Sequence, residues 1–277
     1  MIACKPARIY YYYELKEPER TLNSLKKSLI GVNDYFALIA RAFAGIVRPP
    51  FYFSEVFLQM EHIGVQSLPI VLLTSTFVGM ILAYQSGYAM AVFGAKIYIG
   101  TLVSLSLVRE LGPVLAAVVV TGRIGAGTAA ELGSMVVTEQ IDAMRAMATD
   151  PIKKLVSTRL LAGLIMIPLL VIVADLMGIL GGGFIASSTF GISPVFYKKT
   201  IIEALCVEDI VMSMAKAVFF SVLIMTIGCY SGLYVEGGTT GVGRATTKAV
   251  VLTIVLILVS DYFLTVILLK MLPGLAF

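Results

Sequence analysis

Charge is scarce in this sequence. Asp, Glu, Lys and Arg together make up 14% of 277 residues, where a soluble globular domain carries about a quarter. The formal net charge of +4 comes without any dense Lys/Arg block, which argues against a nucleic-acid partner. Cysteine is nearly absent. Cys4, Cys206 and Cys229 are scattered, fit neither a metal-ligand spacing nor a disulfide framework, and read as inert fillers. The first thirty residues contain no apolar core long enough for a cleavable signal peptide. The amino terminus is therefore expected to stay in the cytosol. A phosphate-binding loop is missing too. The nearest approach to G-x-x-x-x-G-K-[ST] is "GTTGVGRA" (238–245), with Arg in place of Lys and Ala in place of Ser/Thr. It is read as a flexible cytosolic turn. No Ser/His nucleophile arrangement or metal cluster stands out, so the chain is expected to be non-catalytic and to hold neither metal nor cofactor.

What the sequence has in abundance is hydrophobicity: 58% apolar residues and a mean hydropathy of +0.94. The composition predicts an all-α polytopic membrane protein. A spanning helix needs roughly 20 mostly apolar residues, and five stretches qualify, about 63–84, 98–121, 160–184, 210–234 and 249–272. With the amino terminus cytosolic, fifteen Lys and Arg fall in cytosolic segments and four, Lys96, Lys198, Lys199 and Lys270, on the far side. That bias sets the orientation and puts the carboxyl terminus outside. Residues 1–62 form a cytosolic or interfacial segment. Within it 33–62 mixes aromatic and aliphatic residues with Arg41, Arg48, Glu55 and Glu61 around Pro49-Pro50, as an interfacial amphipathic helix pair would. His62, at the entry to the first span, is read as an ordinary interfacial histidine. Nothing in the sequence assigns a role to the run Tyr10–Tyr13.

Between the second and third spans lies "TAAELGSMVVTEQIDAMRAMATDP" (128–151). Val137, Ile141, Met144 and Ala148 recur at helical spacing, beside a polar stripe of Thr138, Asp142, Arg145 and Thr149. Asp150-Pro151 ends the pattern, because the residue before proline resists the α region. The spacing predicts one cytosolic helix over about 131–150, with one face for its own membrane domain and another for water or a partner.

Five charges interrupt the apolar runs: Arg109, Glu110, Asp175, Lys216 and Asp261. At bilayer depth each costs about 2.5–3.5 kcal/mol on insertion scales and usually faces a cavity, a partner or a substrate path. Arg109 and Glu110 are adjacent and do not face one another on a helix. Two arrangements remain open: interhelical salt bridges such as Arg109 with Asp261, or a polar lining for a charged headgroup, to which an Arg fork is suited. A proton site at Glu110 or Asp261 would make the chain a secondary transporter instead. The same two carboxylates as an acid–base pair would make an intramembrane enzyme, which no other motif backs.

The residues 104–163 closely resemble the MlaE/YrbE permease family, the membrane subunits of lipid-transporting ABC systems. The elements are "RELGPV", the small-residue turn "GRIGAGTAAELG", "TEQIDAM" and "DPIKKLVSTR", followed by "GVGRATTKAV" (241–250) and "SDYFLT". The resemblance runs from about residue 35 to the end, making 63–277 an MlaE-like permease domain. It implies that 131–150 is a coupling helix presenting Glu131, Glu139, Asp142, Arg145 and Asp150 to a cytosolic ATPase. It implies a lipid site built from Gln85, Arg109, Glu110, Lys216 and Asp261, with Arg244 at a gate or at the ATPase contact. Asp175 departs from the family pattern and receives no role. The implied assembly is a symmetric pair of this chain with two ATPase subunits that bind the ATP, and a periplasmic MCE-domain partner met by a short helix in 185–209. The implied place is the bacterial inner membrane and the implied cargo phospholipid, with sterol or plastid lipid as the alternative.

Overall fold

The computed structural model describes residues 16–271, with side chains from residue 31 onward. The Tyr10–Tyr13 run lies outside the described residues. The chain forms eight helices in that range. They are α1 (Lys16–Val47), α2 (Phe53–Val92), α3 (Lys96–Val137), α4 (Gln140–Ala146), α5 (Ile152–Ser188), α6 (Pro194–Ala204), α7 (Val207–Leu233) and α8 (Gly238–Met271). Five of them, α2, α3, α5, α7 and α8, are long and apolar enough to cross a membrane. The protein is an all-α polytopic membrane protein.

The spans are longer than their hydropathy. At 1.5 Å per residue the 42 residues of α3 reach about 63 Å, twice a hydrocarbon core of about 30 Å. Its second half therefore projects beyond the bilayer, and "GRIGAGTAAELG", expected as a turn, is helical throughout. Its small residues face α7 and α8: Gly125 and Ala129 pack against Gly228 and Gly232, and Gly133 against Val235 and Val242. The glycine-rich 238–245 is likewise no turn but the opening of α8. Thr240 and Thr246 bond back to the carbonyls of Gly237 and Val242, and packing on α3 outweighs the weak helix propensity of glycine.

α2 and α5 form the tightest pair. Val71, Ser75, Gly79, Ala83 and Gly87 recur every four residues along the buried stripe of α2, so small side chains stack on one face. Opposite them, Gly178 and Gly181 bring backbone against backbone, with the Gly178 carbonyl at Gly79 and the Thr76 carbonyl at Gly181. Buried hydroxyls such as Ser75 and Thr121 satisfy themselves on the carbonyl four residues back, as hydroxyls in apolar spans do. At the other extreme, 11% of the apolar window of α8 is buried, against 56% for α7. One broad face of α8 is thus open to lipid or to another chain.

The expected helix over 131–150 is not continuous. α3 runs to Val137, Glu139 adopts a left-handed φ of 59°, and only Gln140–Ala146 continues as α4. Asp150 does not end this helix. Its Oδ1 accepts from the Ile152 amide at 3.0 Å and so caps the start of α5. Ile141 is buried and Met144 partly so, while Ala148 lies beyond the helix and exposed, with φ 56°.

The second half of α1 is no solvated tail. Leu38 and Ala42 belong to the core, and Tyr35 Oη lies 2.8 Å from Thr226 Oγ1 on α7. The Thr226 hydroxyl already donates to the Val222 carbonyl, so Tyr35 is the donor. Burial pushes the Tyr35 phenol above its usual range and keeps that proton in place. The Pro49-Pro50 turn then leads into α2, which bends at Ile63–Ser67. There Arg123 of α3 donates to the His62 carbonyl at 3.0 Å, to Ser67 Oγ at 2.8 Å and to Gln66 Oε1 at 2.8 Å.

Candidate functional site

The sequence Arg109-Glu110-Leu111-Gly112-Pro113 sets up the site. Proline has no N–H, so the Arg109 carbonyl loses the donor it would have had from residue 113 in an α-helix. The helix widens into a π turn over Leu107–Leu111, a distortion that recurs at functional sites. The freed Arg109 carbonyl is taken by Lys216 Nζ of α7 at 2.9 Å. The same ammonium donates to Glu110 Oε2 at 2.6 Å and lies 3.0 Å from Asp261 Oδ1 of α8. That last contact is an ion pair without hydrogen-bond geometry, since Asp261 Oδ1 is otherwise unpartnered. Lys216 is fully buried, with Asp261 18% and Glu110 39% exposed. The Thr265 hydroxyl, one turn beyond Asp261, lies 2.9 Å from the Asp261 carbonyl and 3.1 Å from Glu110 Oε1, with one proton shared between them. One cation therefore ties three spans together.

Arg109 pairs elsewhere than expected. Its Nε donates to Asp209 Oδ1 at 2.6 Å, and Asp209 is fully buried. No Arg109–Asp261 bridge forms, because Lys216 stands on Asp261. Asp209 is fixed in turn: its Oδ2 accepts from the Cys206 amide at 2.9 Å in a capping box that opens α7. Among the described residues no acceptor takes the hydrogens of Arg109 Nη1 and Nη2. The guanidinium is thus held through Nε, with a quarter of the side chain exposed.

The cluster lies toward one end of the bundle. Lys216 is nine residues into α7, about 14 Å along its axis, and α6, which caps that end, has Tyr197 donating to the Ile179 carbonyl. Asp175 joins the same layer from α5. It is 8% exposed, accepts from Ser213 at 3.4 Å through Oδ2, and its Oδ1 packs against Gly112 without a hydrogen-bond partner. Among the described residues, no group of three or more His, Cys, Asp or Glu is arranged to hold a metal ion.

Four of the five residues expected at a lipid site, Arg109, Glu110, Lys216 and Asp261, come together. Gln85 does not: it is exposed on α2 in a shallow groove with Tyr84 and Ile185. Asp209 and Thr265 were missed. The spacing Cys206-x-x-Asp209 before an apolar run was the available signal for the first; no pattern marked the second.

At the opposite end of the bundle stand the residues expected to meet an ATPase. Asp142 and Arg145 pair at 2.9 Å on the exposed side of α4. Glu139 is exposed at the corner between α3 and α4, and Arg244 is exposed on the first turns of α8. Glu131 is engaged within the chain, 2.8 Å from the buried Arg159 of α5.

Comparison with known proteins gives a consistent picture. The sequence model of the family described as Permease MlaE matches residues 56–267. A probable ABC transporter permease protein of Rickettsia typhi is 43% identical over 241 residues, covering 87% of this chain and 92% of the relative. The intermembrane phospholipid transport system permease protein MlaE of Haemophilus influenzae is 35% identical over 254 residues, 89% of this chain and 96% of its own. The chloroplastic protein trigalactosyldiacylglycerol 1 of Arabidopsis thaliana is 36% identical over 220 residues, 79% of this chain and 63% of that protein.

Proposed function

This chain belongs to the MlaE permease family, and on that premise we propose that it moves phospholipid between a bacterial inner membrane and a periplasmic MCE-type carrier, maintaining outer-membrane lipid asymmetry. It is the membrane-spanning, non-catalytic subunit of an ABC transporter. Hydrolysis falls to a separate ATPase, because the sequence carries no phosphate-binding loop. The cargo assignment is supported by the relative named for phospholipid transport and rests on one observation: Arg109 is anchored through Nε to a buried carboxylate and keeps its other donors free. An arginine so held is pre-oriented for a phosphate, which accepts two of its hydrogen bonds at once. The apolar faces of α3 and α8 beside it suit acyl chains.

In this reading α4 is cytosolic and α6 periplasmic, which the cation bias of the connections supports. α4, on the projecting stalk of α3, is the element that two ATPase subunits grip in the full assembly, through Glu139, Asp142 and Arg145. Glu131 supports the stalk through Arg159, and Asp150 sets the start of α5. Arg244, on the same side, stands at the gate. The open face of α8 is where a second copy completes the pathway, and α6 is the surface for the carrier. ATP binding would close the stalks together and squeeze the charged layer.

Neutralising the anchored pair tests the lipid site. Arg109→Gln with Asp209→Asn keeps shape and hydrogen bonding while removing both charges. A charge-assisted hydrogen bond contributes about 1.5–3 kcal/mol, so labelling of α3 and α8 by a photoreactive phospholipid should fall roughly ten- to hundredfold. Unchanged labelling and transport at normal protein level would remove Arg109 from the site.

A further inference from the structure

A cavity lies at the turn between α1 and α2, far from the charge cluster. Its floor is the start of α5, where Ser157 stands eighteen residues before Asp175, about 27 Å along the helix. Gly45, Ile46, Tyr52, Phe53, Lys153 and Ser157 line it.

Four features make it a site rather than a crevice. Lys153 Nζ donates to the Pro49 carbonyl at 2.5 Å, which fixes the ammonium at the rim and leaves two of its hydrogens free. Arg48, exposed in the same turn, and Lys154 add positive charge, against which stand two acids, Glu55 and Asp150, the second already accepting from the Ile152 amide. Ser157 is 4% exposed, and its hydroxyl has no hydrogen-bond partner. Buried hydroxyls are rarely left so without a missing ligand or water. It closes a π turn over Ile152–Ser157. Around the mouth, Phe51 and Phe53 are 52% and 61% exposed, their rings 5.6 Å apart. Exposed aromatics beside cations are the composition of a membrane interface that attracts anionic lipid.

We propose that this turn binds the headgroup of an anionic glycerophospholipid from the adjoining leaflet. The phosphate is held at the rim by Lys153 and Arg48, over the space that the Ser157 hydroxyl lines from below, and the acyl chains run out past Ile46 and Leu161. The lipid is resident rather than transported, so the site stands whether or not phospholipid is the cargo. It would pin the α1–α2 turn to the start of α5, and so to the end of the bundle that carries α4.

The chain contains no tryptophan, so Phe53→Trp creates a single emitter at the mouth, with Phe51→Trp as a second reporter should the first perturb folding. The intact protein is placed in nanodiscs of neutral lipid containing a minor fraction of brominated phosphatidylglycerol or of brominated phosphatidylcholine. Brominated phosphatidylglycerol should quench at the lower mole fraction. Lys153→Gln and Arg48→Gln, the first retaining a donor for Pro49, should each reduce that preference about fivefold. Inorganic phosphate without anionic lipid should leave the emission unchanged. Equal quenching by both lipids, a preference that survives both substitutions, or an emission change with phosphate alone would overturn the assignment.

Discussion

Replacing Lys216 by methionine will destabilise the protein by about 3 kcal/mol and abolish transport. The methionine fills the same volume, but Glu110 and Asp261 then share a buried layer with no cation between them, and removing one partner of a buried ion pair typically costs about 3–5 kcal/mol. The lower end applies because Glu110 is 39% exposed rather than fully buried. The Arg109 carbonyl also loses the donor that Lys216 supplies, beside a proline that cannot replace it. Adding Glu110→Gln and Asp261→Asn should restore most of the stability, since neutral replacement of a whole buried charge group is often tolerated. It should not restore transport if the charged layer serves the cargo. Thermal unfolding in detergent and lipid transfer in proteoliposomes read the two effects separately. A Lys216→Met protein that melts and transports like the parent would contradict this role for Lys216.

The second large effect is expected at Gly79. A Cβ there would stand on the Gly178 carbonyl oxygen, and backbone cannot rotate away as a side chain does. Gly79→Leu must therefore separate α2 from α5, at more than about 3 kcal/mol. It should appear as loss of monodisperse protein and a collapsed melting transition. Gly127→Ala supplies the control, because nothing lies within 4 Å of a Cβ at that position; it should be neutral or slightly stabilising, as alanine favours helix. Parent-like behaviour of Gly79→Leu would mean that the α2–α5 contact is not as close as described.

The two predictions mark where sequence patterns were sufficient and where they were not. The five spans were legible because a bilayer demands an apolar run of fixed length, and each run is present. Their full extent was not, since α3 continues for sixteen residues past 121 on small and polar residues that hydropathy does not reward. Charged positions could be found singly, but partners depend on which helices meet. Lys216 therefore took Asp261, leaving Arg109 to Asp209. The break at Glu139 had no signal: a left-handed residue there carries neither Gly nor Asn, and the amphipathic stripe ran straight through it. The opening of α8 misled in the opposite sense, because three glycines in eight residues read as a turn until α3 was there to pack against.

One measurement bears most directly on the permease reading, in which α4 transmits the work of a separate ATPase. A photoreactive amino acid at Arg145, an exposed position on α4, is activated in native membranes and the adducts are identified by mass spectrometry. The account predicts one dominant adduct with a cytosolic nucleotide-hydrolysing subunit, diminished when ATP is depleted. Recovery of no such subunit, or labelling of residue 145 by a membrane-impermeant reagent from the outer side, would contradict it.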